Sequence, residues 1–342
     1  MTQTTPTLEQ WKSLYDLSIE FRKTACWKWM TDDQIFGVRN PKTGEIGYCC
    51  IIGILGQEFG IIVYTGTDGL ASYQRIQKRS NPSDQFEDFI AQKCLSITFD
   101  NKNALEKEDL SVIAELSLKL KGTKAYPFFR NLSPGYFPWF ITADDSDFLC
   151  LVLDQAMDVC LRCKENPNLL SSRRSNLYLV RVLGSRDGTD EWNDQWIEPD
   201  PIRPKPIAHW DIDEVRLKRI KTNLKKARMT WELAYAFENM PVKESGRPFY
   251  PLFLLITDTQ SGFILDSQMV APHSYQSQLT EYFLQAVEKN KMYPDEVMVE
   301  KDEAVAILQP TLSLLGIILA KVKKCKESAK ARKAFRLQML RQ

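Results

Sequence analysis

Leu252-Phe253-Leu254-Leu255-Ile256-Thr257-Asp258 is followed by Thr259-Gln260-Ser261-Gly262 and then by Phe263-Ile264-Leu265-Asp266-Ser267-Gln268-Met269-Val270. Two apolar runs flank a short polar turn that ends in glycine. A connection this short pairs strands antiparallel, so the stretch predicts a hairpin. Downstream, Tyr275–Glu288 carries Leu279, Tyr282, Phe283, Ala286 and Val287 on one helical side. Pro294 restarts the chain and Glu296–Glu300 reads as a short strand. Glu303–Leu315 reads as a helix that Gly316 ends, as glycine does at helix C-termini. Ile317–Val322 is a last buried strand. Two strand–helix–strand units in succession imply parallel strands with right-handed crossovers. Upstream, Trp231–Phe237 is expected to be a strand beside the hairpin. Asp211–Arg228 reads as a helix with a basic face of Lys218, Arg219, Lys221, Lys225, Lys226 and Arg228.

The N-terminal half has another character. Leu8–Arg22 is an amphipathic helix by its apolar spacing. Gln34–Asn40, Ile46–Leu55 and Ile61–Tyr64 are short strands joined by Gly-containing turns, hence antiparallel neighbours. Asp68–Gln77, Gln85–Gln92 and Lys107–Leu120 read as helices, and Cys94–Asp100 and Leu177–Leu183 as strands. Tyr126–Ile141 holds Pro127, Pro134 and Pro138 with seven aromatic residues, and is expected to be irregular. Its Phe128, Tyr136 and Trp139 are candidates for an aromatic ligand pocket, against the plainer reading of a loop plugged into the core. Thr142-Ala143-Asp144-Asp145 resembles a capping box at the start of a long helix running to about Cys163. The fold class is therefore α/β: an α+β N-terminal domain with an antiparallel sheet (1–198), a Pro-rich linker (199–210), and a C-terminal α/β domain with a mixed sheet and a basic tail (211–342).

Composition narrows the function classes. The chain's 342 residues hold 45 basic and 44 acidic side chains, and the net charge of +1 gives no global argument for nucleic acid or anionic lipid. No apolar run approaches the roughly 20 residues of a membrane span, and the N-terminus has no basic start followed by an apolar core. A cytoplasmic location is expected, with no membrane partner. Of the eight cysteines, Cys49, Cys50, Cys94 and Cys150 sit in apolar stretches, as buried thiols do. Cys160 and Cys163 form one CxxC without a second ligand pair, so no zinc site is expected. His209 and His273 lie in loop-like surroundings without a placed nucleophile. No phosphate-binding glycine loop and no GxSxG elbow occurs. No cofactor and no metal are expected.

The order of elements from Trp231 to Val322 resembles the RNase H-like core of retroviral integrases and transposases. Trp231-Glu232-Leu233-Ala234-Tyr235 matches the first strand of such cores, and Ser261-Gly262-Phe263-Ile264 matches their hairpin corner. That resemblance implies a five-stranded mixed sheet and, in the enzymes, clustered carboxylates holding two divalent metals. The position of their first catalytic Asp is Ala234 here. The weak catalytic candidates are Glu232, Asp258, Glu300 and Asp302, with Glu327 unmarked by any motif. Over its full length the chain also resembles an uncharacterised bacterial family of domain-of-unknown-function proteins. The residues that carry this are Tyr15–Phe21, Trp27-Lys28-Trp29-Met30, Ile35–Val38, Asn40–Cys50 and Gly246-Arg247-Pro248-Phe249-Tyr250-Pro251. That family implies no substrate.

The tail from Lys321 onward is basic. Lys323, Lys324, Lys330, Arg332, Lys333 and Arg336 are candidate contacts to a polyanion, a nucleic acid or an acidic protein, beside the plainer reading of a solvated helix. The sequence favours a non-catalytic binding or regulatory protein. The alternatives are a metal-dependent nuclease or phosphoryl-transfer enzyme, and a small-molecule binder using the N-terminal aromatic region.

Overall fold

The structure is a computed structural model that describes residues 4–78, 85–172, 174, 176–186, 188–202, 213–244 and 246–339. The chain divides into two compact units, Met1–Arg203 and Pro204–Gln342. His209, the greater part of the proline-rich stretch and the start of the helix expected from Asp211 lie outside the described residues.

The first unit runs α1 (Leu8–Thr24), β1 (Ile35–Arg39), β2 (Ile46–Ile52), β3 (Gly60–Thr65), α2 (Gly66–Gln77), α3 (Gln85–Ile90), β4 (Cys94–Asp100), α4 (Lys107–Glu115), β5 (Tyr126–Leu132), α5 (Ala143–Glu165), β6 (Tyr178–Arg186) and β7 (Thr189–Ile197). Its sheet has the order β5-β4-β3-β2-β1-β6-β7. The expectation of a purely antiparallel sheet is corrected at one place. After α5 the chain returns beside β1, and β6 pairs with it in parallel. A helix-length crossover is what such pairing requires. Tyr126–Leu132 is a strand rather than an irregular loop, and Pro127 is tolerated there because β5 is the edge of the sheet. Along each strand alternate residues go to opposite faces. Val38, Cys49, Ile51, Ile61, Val63 and Ile97 pack under α1 and α5, while Tyr48, Cys50 and Tyr64 pack with Leu70 and Tyr73 of α2.

The second unit runs α6 (Glu214–Asn223), β8 (Lys225–Phe237), β9 (Leu252–Asp258), β10 (Ile264–Val270), α7 (Tyr275–Asn290), β11 (Met292–Val299), α8 (Asp302–Leu315), β12 (Ile318–Lys321) and α9 (Lys326–Met339). The sheet order is β10-β9-β8-β11-β12. β8, β9 and β10 are antiparallel neighbours, and β11 and β12 extend the sheet in parallel from β8. The helix read over Asp211–Arg228 is shorter than expected. It ends at Asn223, and Lys225–Arg228 open β8, where Lys225, Lys226 and Ala227 pair with Met292, Tyr293 and Pro294. Pro294 thus lies inside β11 rather than ahead of it. Gly316 caps α8 in the left-handed conformation, at φ +68.

The two faces of this sheet are covered differently. Trp231, Leu233, Leu254, Ile256, Val297 and Val299 face α6, α7 and α8 and form the core. Trp231 is fully buried, edge-on to Phe283 at 6.1 Å between ring centroids. Glu232, Ala234 and Ala236 point to the opposite face, beside Thr257, Leu255 and Phe253 of β9. Among the described elements, α9 is the helix that covers that face.

In the first unit β3 and β4 approach closely at one glycine. A Cβ placed on Gly60 would lie 2.0 Å from the carbonyl oxygen of Ile97. Gly60→Ala is therefore expected to force the strands apart and to cost about 1–3 kcal/mol. A urea unfolding curve followed by tryptophan fluorescence measures it, and an unchanged midpoint contradicts the account.

Candidate binding site beside the C-terminal helix

The tail expected to be a solvated helix is a helix with one side packed. Cys325, Ser328, Ala329, Arg332, Phe335 and Arg336 recur at three- and four-residue steps, so they form one stripe, and that stripe meets the sheet. At the N-terminal end of α9, the Ser328 N–H donates to Glu232 Oε2 at 2.7 Å, and the Cys325 N–H donates to Glu300 Oε1 at 2.6 Å. The hydroxyls of Thr257 and Ser328 lie 2.8 Å apart. The first N–H groups of any helix have no partner within it, and carboxylates are the strongest acceptors for them. Each such bond is worth about 1.5–3 kcal/mol. Burial first, then Glu232 and Glu300, pushes the Cys325 thiol up to about 12, so it stays neutral. At the other end Phe335 stacks on Phe253 at 4.8 Å, and Arg336 Nε donates to Glu238 Oε2 at 2.6 Å. The Arg336 guanidinium also donates to the Phe237 carbonyl at 3.1 Å.

Two of the four acids named as weak catalytic candidates come together, and both are engaged as caps of α9. The other two lie elsewhere. Asp258 ends β9 on the Trp231 face and caps the hairpin turn, accepting from the Ser261 N–H at 3.0 Å, the Gln260 N–H at 3.3 Å and the Ser261 hydroxyl. Burial pushes its carboxyl up, but these hydrogen bonds together outweigh burial and hold it below the usual range. Asp302 opens α8 at the surface and pairs with Lys321 at 2.6 Å. Among the described residues, no group of three or more His, Cys, Asp or Glu side chains could hold a metal ion.

The basic residues divide as well. Lys323, Lys324, Lys330 and Lys333 are exposed, whereas Arg332 is half-buried in the stripe and Arg336 is held by Glu238. α6 cannot join its basic side to this patch, because its buried Leu217 and Ile220 belong to the core on the other face of the sheet. In the first unit, Trp139 lines a 300 Å³ pocket with Trp11, Tyr15 and Phe140, but Phe128 and Tyr136 are not part of that lining. Phe128 instead lies against the guanidinium of Arg130, 3.8 Å from the ring centroid. Arg130 is buried and forms a two-pronged ion pair with Asp109 at 2.9 and 2.8 Å.

Where the C-terminal part of α9 passes β8, β9 and β10, a groove of 540 Å³ opens, with Glu238, Phe249, Pro251, Met269, Phe335 and Arg336 in its walls. Of these residues the sequence singles out Arg336 alone, as a candidate polyanion contact, and Glu238 holds it. The spacing of Phe335 and Arg336 within the stripe was the available signal. No element supplying the groove's walls announces a ligand by motif.

Fold and site together describe an α/β protein of two units whose second sheet carries a helix-capped acid pair and an open groove. Residues 11–181 match the family described as domain of unknown function DUF7309, and the chain belongs to that family. Residues 216–336 match a second such description, domain of unknown function DUF6930. No curated protein matches the chain. Among the described residues no helix is long and apolar enough to cross a membrane.

Glu232→Ala is expected to destabilise the second unit by about 1–3 kcal/mol, since a buried amide loses its acceptor. Hydrogen exchange at the Ser328 amide should accelerate with it. Wild-type protection of that amide in the variant would contradict the capping role.

Proposed function

We propose that the second unit is an RNase H-like scaffold that binds a ligand and does not cut phosphodiesters. The strand order supports the scaffold. Three antiparallel strands are followed by two parallel ones on the far side of the first, with helices after the third, fourth and fifth strands. The observation that carries the loss of cutting is the engagement of Glu232 and Glu300 by the backbone of α9. A two-metal site needs carboxylate oxygens free to coordinate and a central ligand between the metals. Here the oxygens face amides, and Ala234 stands where the resemblance puts the central Asp. The full chain, incubated with single- and double-stranded DNA and RNA and either Mg²⁺ or Mn²⁺, is expected to leave them intact. Cleavage by the wild type that Glu300→Gln abolishes would overturn this reading.

We infer a second capacity from the outer side of α9. Lys326, Lys330 and Lys333 follow at helical steps and are exposed, with Lys323 and Lys324 exposed just ahead. Lysines on a helix face meet phosphates without reading bases, so duplex binding here would be insensitive to sequence and steeply weakened by salt. Replacing Lys323, Lys324, Lys330 and Lys333 with Ala is expected to abolish retardation of duplex DNA in a gel. No shift by the wild type at about 150 mM salt rejects this capacity and leaves the lysines as solvating groups.

A further inference from the structure

The groove at the C-terminal end of α9 holds a carboxylate that the protein answers on one side. Glu238 follows β8 and is only 6% exposed. Its Oε2 takes the Arg336 Nε at 2.6 Å. Its Oε1 is buried and has no hydrogen-bond partner among the described residues. Buried polar atoms are nearly always satisfied, and an exception calls for an unseen partner. A water molecule would need two to four polar neighbours of its own, and the lining is mostly apolar, with Asn239, Glu244 and Arg336 as its other polar side chains. A charged donor attached to an apolar body meets both requirements, since its head reaches the oxygen and its body covers the walls. Bonds between ionised groups are also the stronger kind.

Charge and size point the same way. The lining carries two carboxylates, Glu238 and Glu244, against the single guanidinium of Arg336, which Glu238 and the Phe237 carbonyl already occupy. An anionic ligand would meet net repulsion. The volume of 540 Å³ lies within the range of small-molecule sites, about 300–1,000 Å³. Met240 and Met269 supply walls that adapt to the shape of a ring system.

We propose that this groove binds a small organic cation, an apolar ring-bearing body with one ammonium group that donates to Glu238 Oε1. The proposal rests on the binding reading of the second unit and names the ligand class for it. Glu238 fixes the sign of the charge, and the aromatic and methionine walls select the body. No covalent step is involved.

Dansylcadaverine, a naphthalene sulfonamide ending in a primary ammonium, is a suitable probe for the full chain. Its N-acetyl derivative keeps the body and removes the charge. Saturable fluorescence enhancement is expected with the amine, and binding roughly tenfold weaker or more with the acetylated probe. Glu238→Gln should erase the difference between the two probes. Met269→Trp, at an exposed strand position and checked by a thermal melt to be folded, should block both. Equal binding of the two probes by the wild type, or no binding of either, overturns the proposal. So does amine binding of wild-type strength in the Met269→Trp protein, which would place the probe elsewhere. Should Glu238→Gln fail to fold, as a thermal melt would show, the wild-type probe pair and Met269→Trp still decide. A negative result here with intact nucleic acids in the hydrolysis assay removes only the cation. Cleavage in that assay removes the binding reading itself.

Discussion

A helix whose first turn is buried against a sheet brings several unpaired N–H groups to one spot, and the sheet must supply acceptors there. In the second unit Glu232 and Glu300 are those acceptors. Glu232 is buried, and a buried carboxylate is tolerated only when its charge is met by donors. The helix start meets it with amides and with the positive end of its dipole. Each partner therefore makes the other admissible. Without α9 two glutamates would stand on an open sheet face beside Ala234. Without the glutamates the start of α9 would lie buried with orphaned donors. The same contact joins the last helix to the first, second and fourth strands of the unit, so it ties together parts of the chain nearly a hundred residues apart in sequence.

The first unit uses its acids in the same way. Thr142 and Asp145 form a reciprocal capping box at the start of α5, with hydrogen bonds of 3.1 and 2.9 Å. Glu106 and Asp109 do so for α4. Asp109 then serves a second purpose, because its oxygens also receive the buried Arg130. The guanidinium lies against Phe128 and Phe140 at 3.8 and 4.7 Å from their ring centroids. An arginine of this kind holds planar contacts on its faces and bidentate ones at its edge. The aromatic richness of Tyr126–Ile141 is thus spent in part on housing a cation of the protein's own. Of the three aromatic candidates, Trp139 lines the 300 Å³ pocket.

Legibility in the sequence followed the strength of each local signal. The hairpin Leu252–Val270, the capping box at Thr142 and the glycine stop at Gly316 were readable, because each depends on a few adjacent residues with narrow conformational choices. Lys225–Arg228 reads as helix because it continues the apolar spacing of Val215, Leu217, Ile220 and Leu224. Parallel pairing with Met292, Tyr293 and Pro294 overrides that pattern. β7, Thr189–Ile197, was not read at all. It is an edge strand with most of its side chains in solvent, so it lacks the alternation that burial on one face imposes. It is specified by its backbone pairing with β6 over the whole of its length. The four candidate acids could be named but not placed. Whether a carboxylate at a strand end meets an amide, a turn or solvent is decided by elements remote in sequence.

The groove follows from a gradient in side-chain size along the face under α9. Near the helix start the small residues Ala234, Ala236, Ser328 and Ala329 are among those bordering a space of only 30 Å³. Toward the C-terminal end the rings of Phe253 and Phe335 stack at 4.8 Å. Beyond the stack, Phe249 and Pro251 form one wall and Met269 and Val270 another, and the volume rises to 540 Å³. Close packing in a protein interior normally removes a void of that size. It persists here beside the aromatic pair, while Arg336, reaching back to Glu238, keeps the end of the helix from turning away. Among the described residues, the second carboxylate oxygen of Glu238 in the ion pair that anchors α9 has no donor. The closure of one end of the helix and the unfilled space at the other are therefore two results of the same docking.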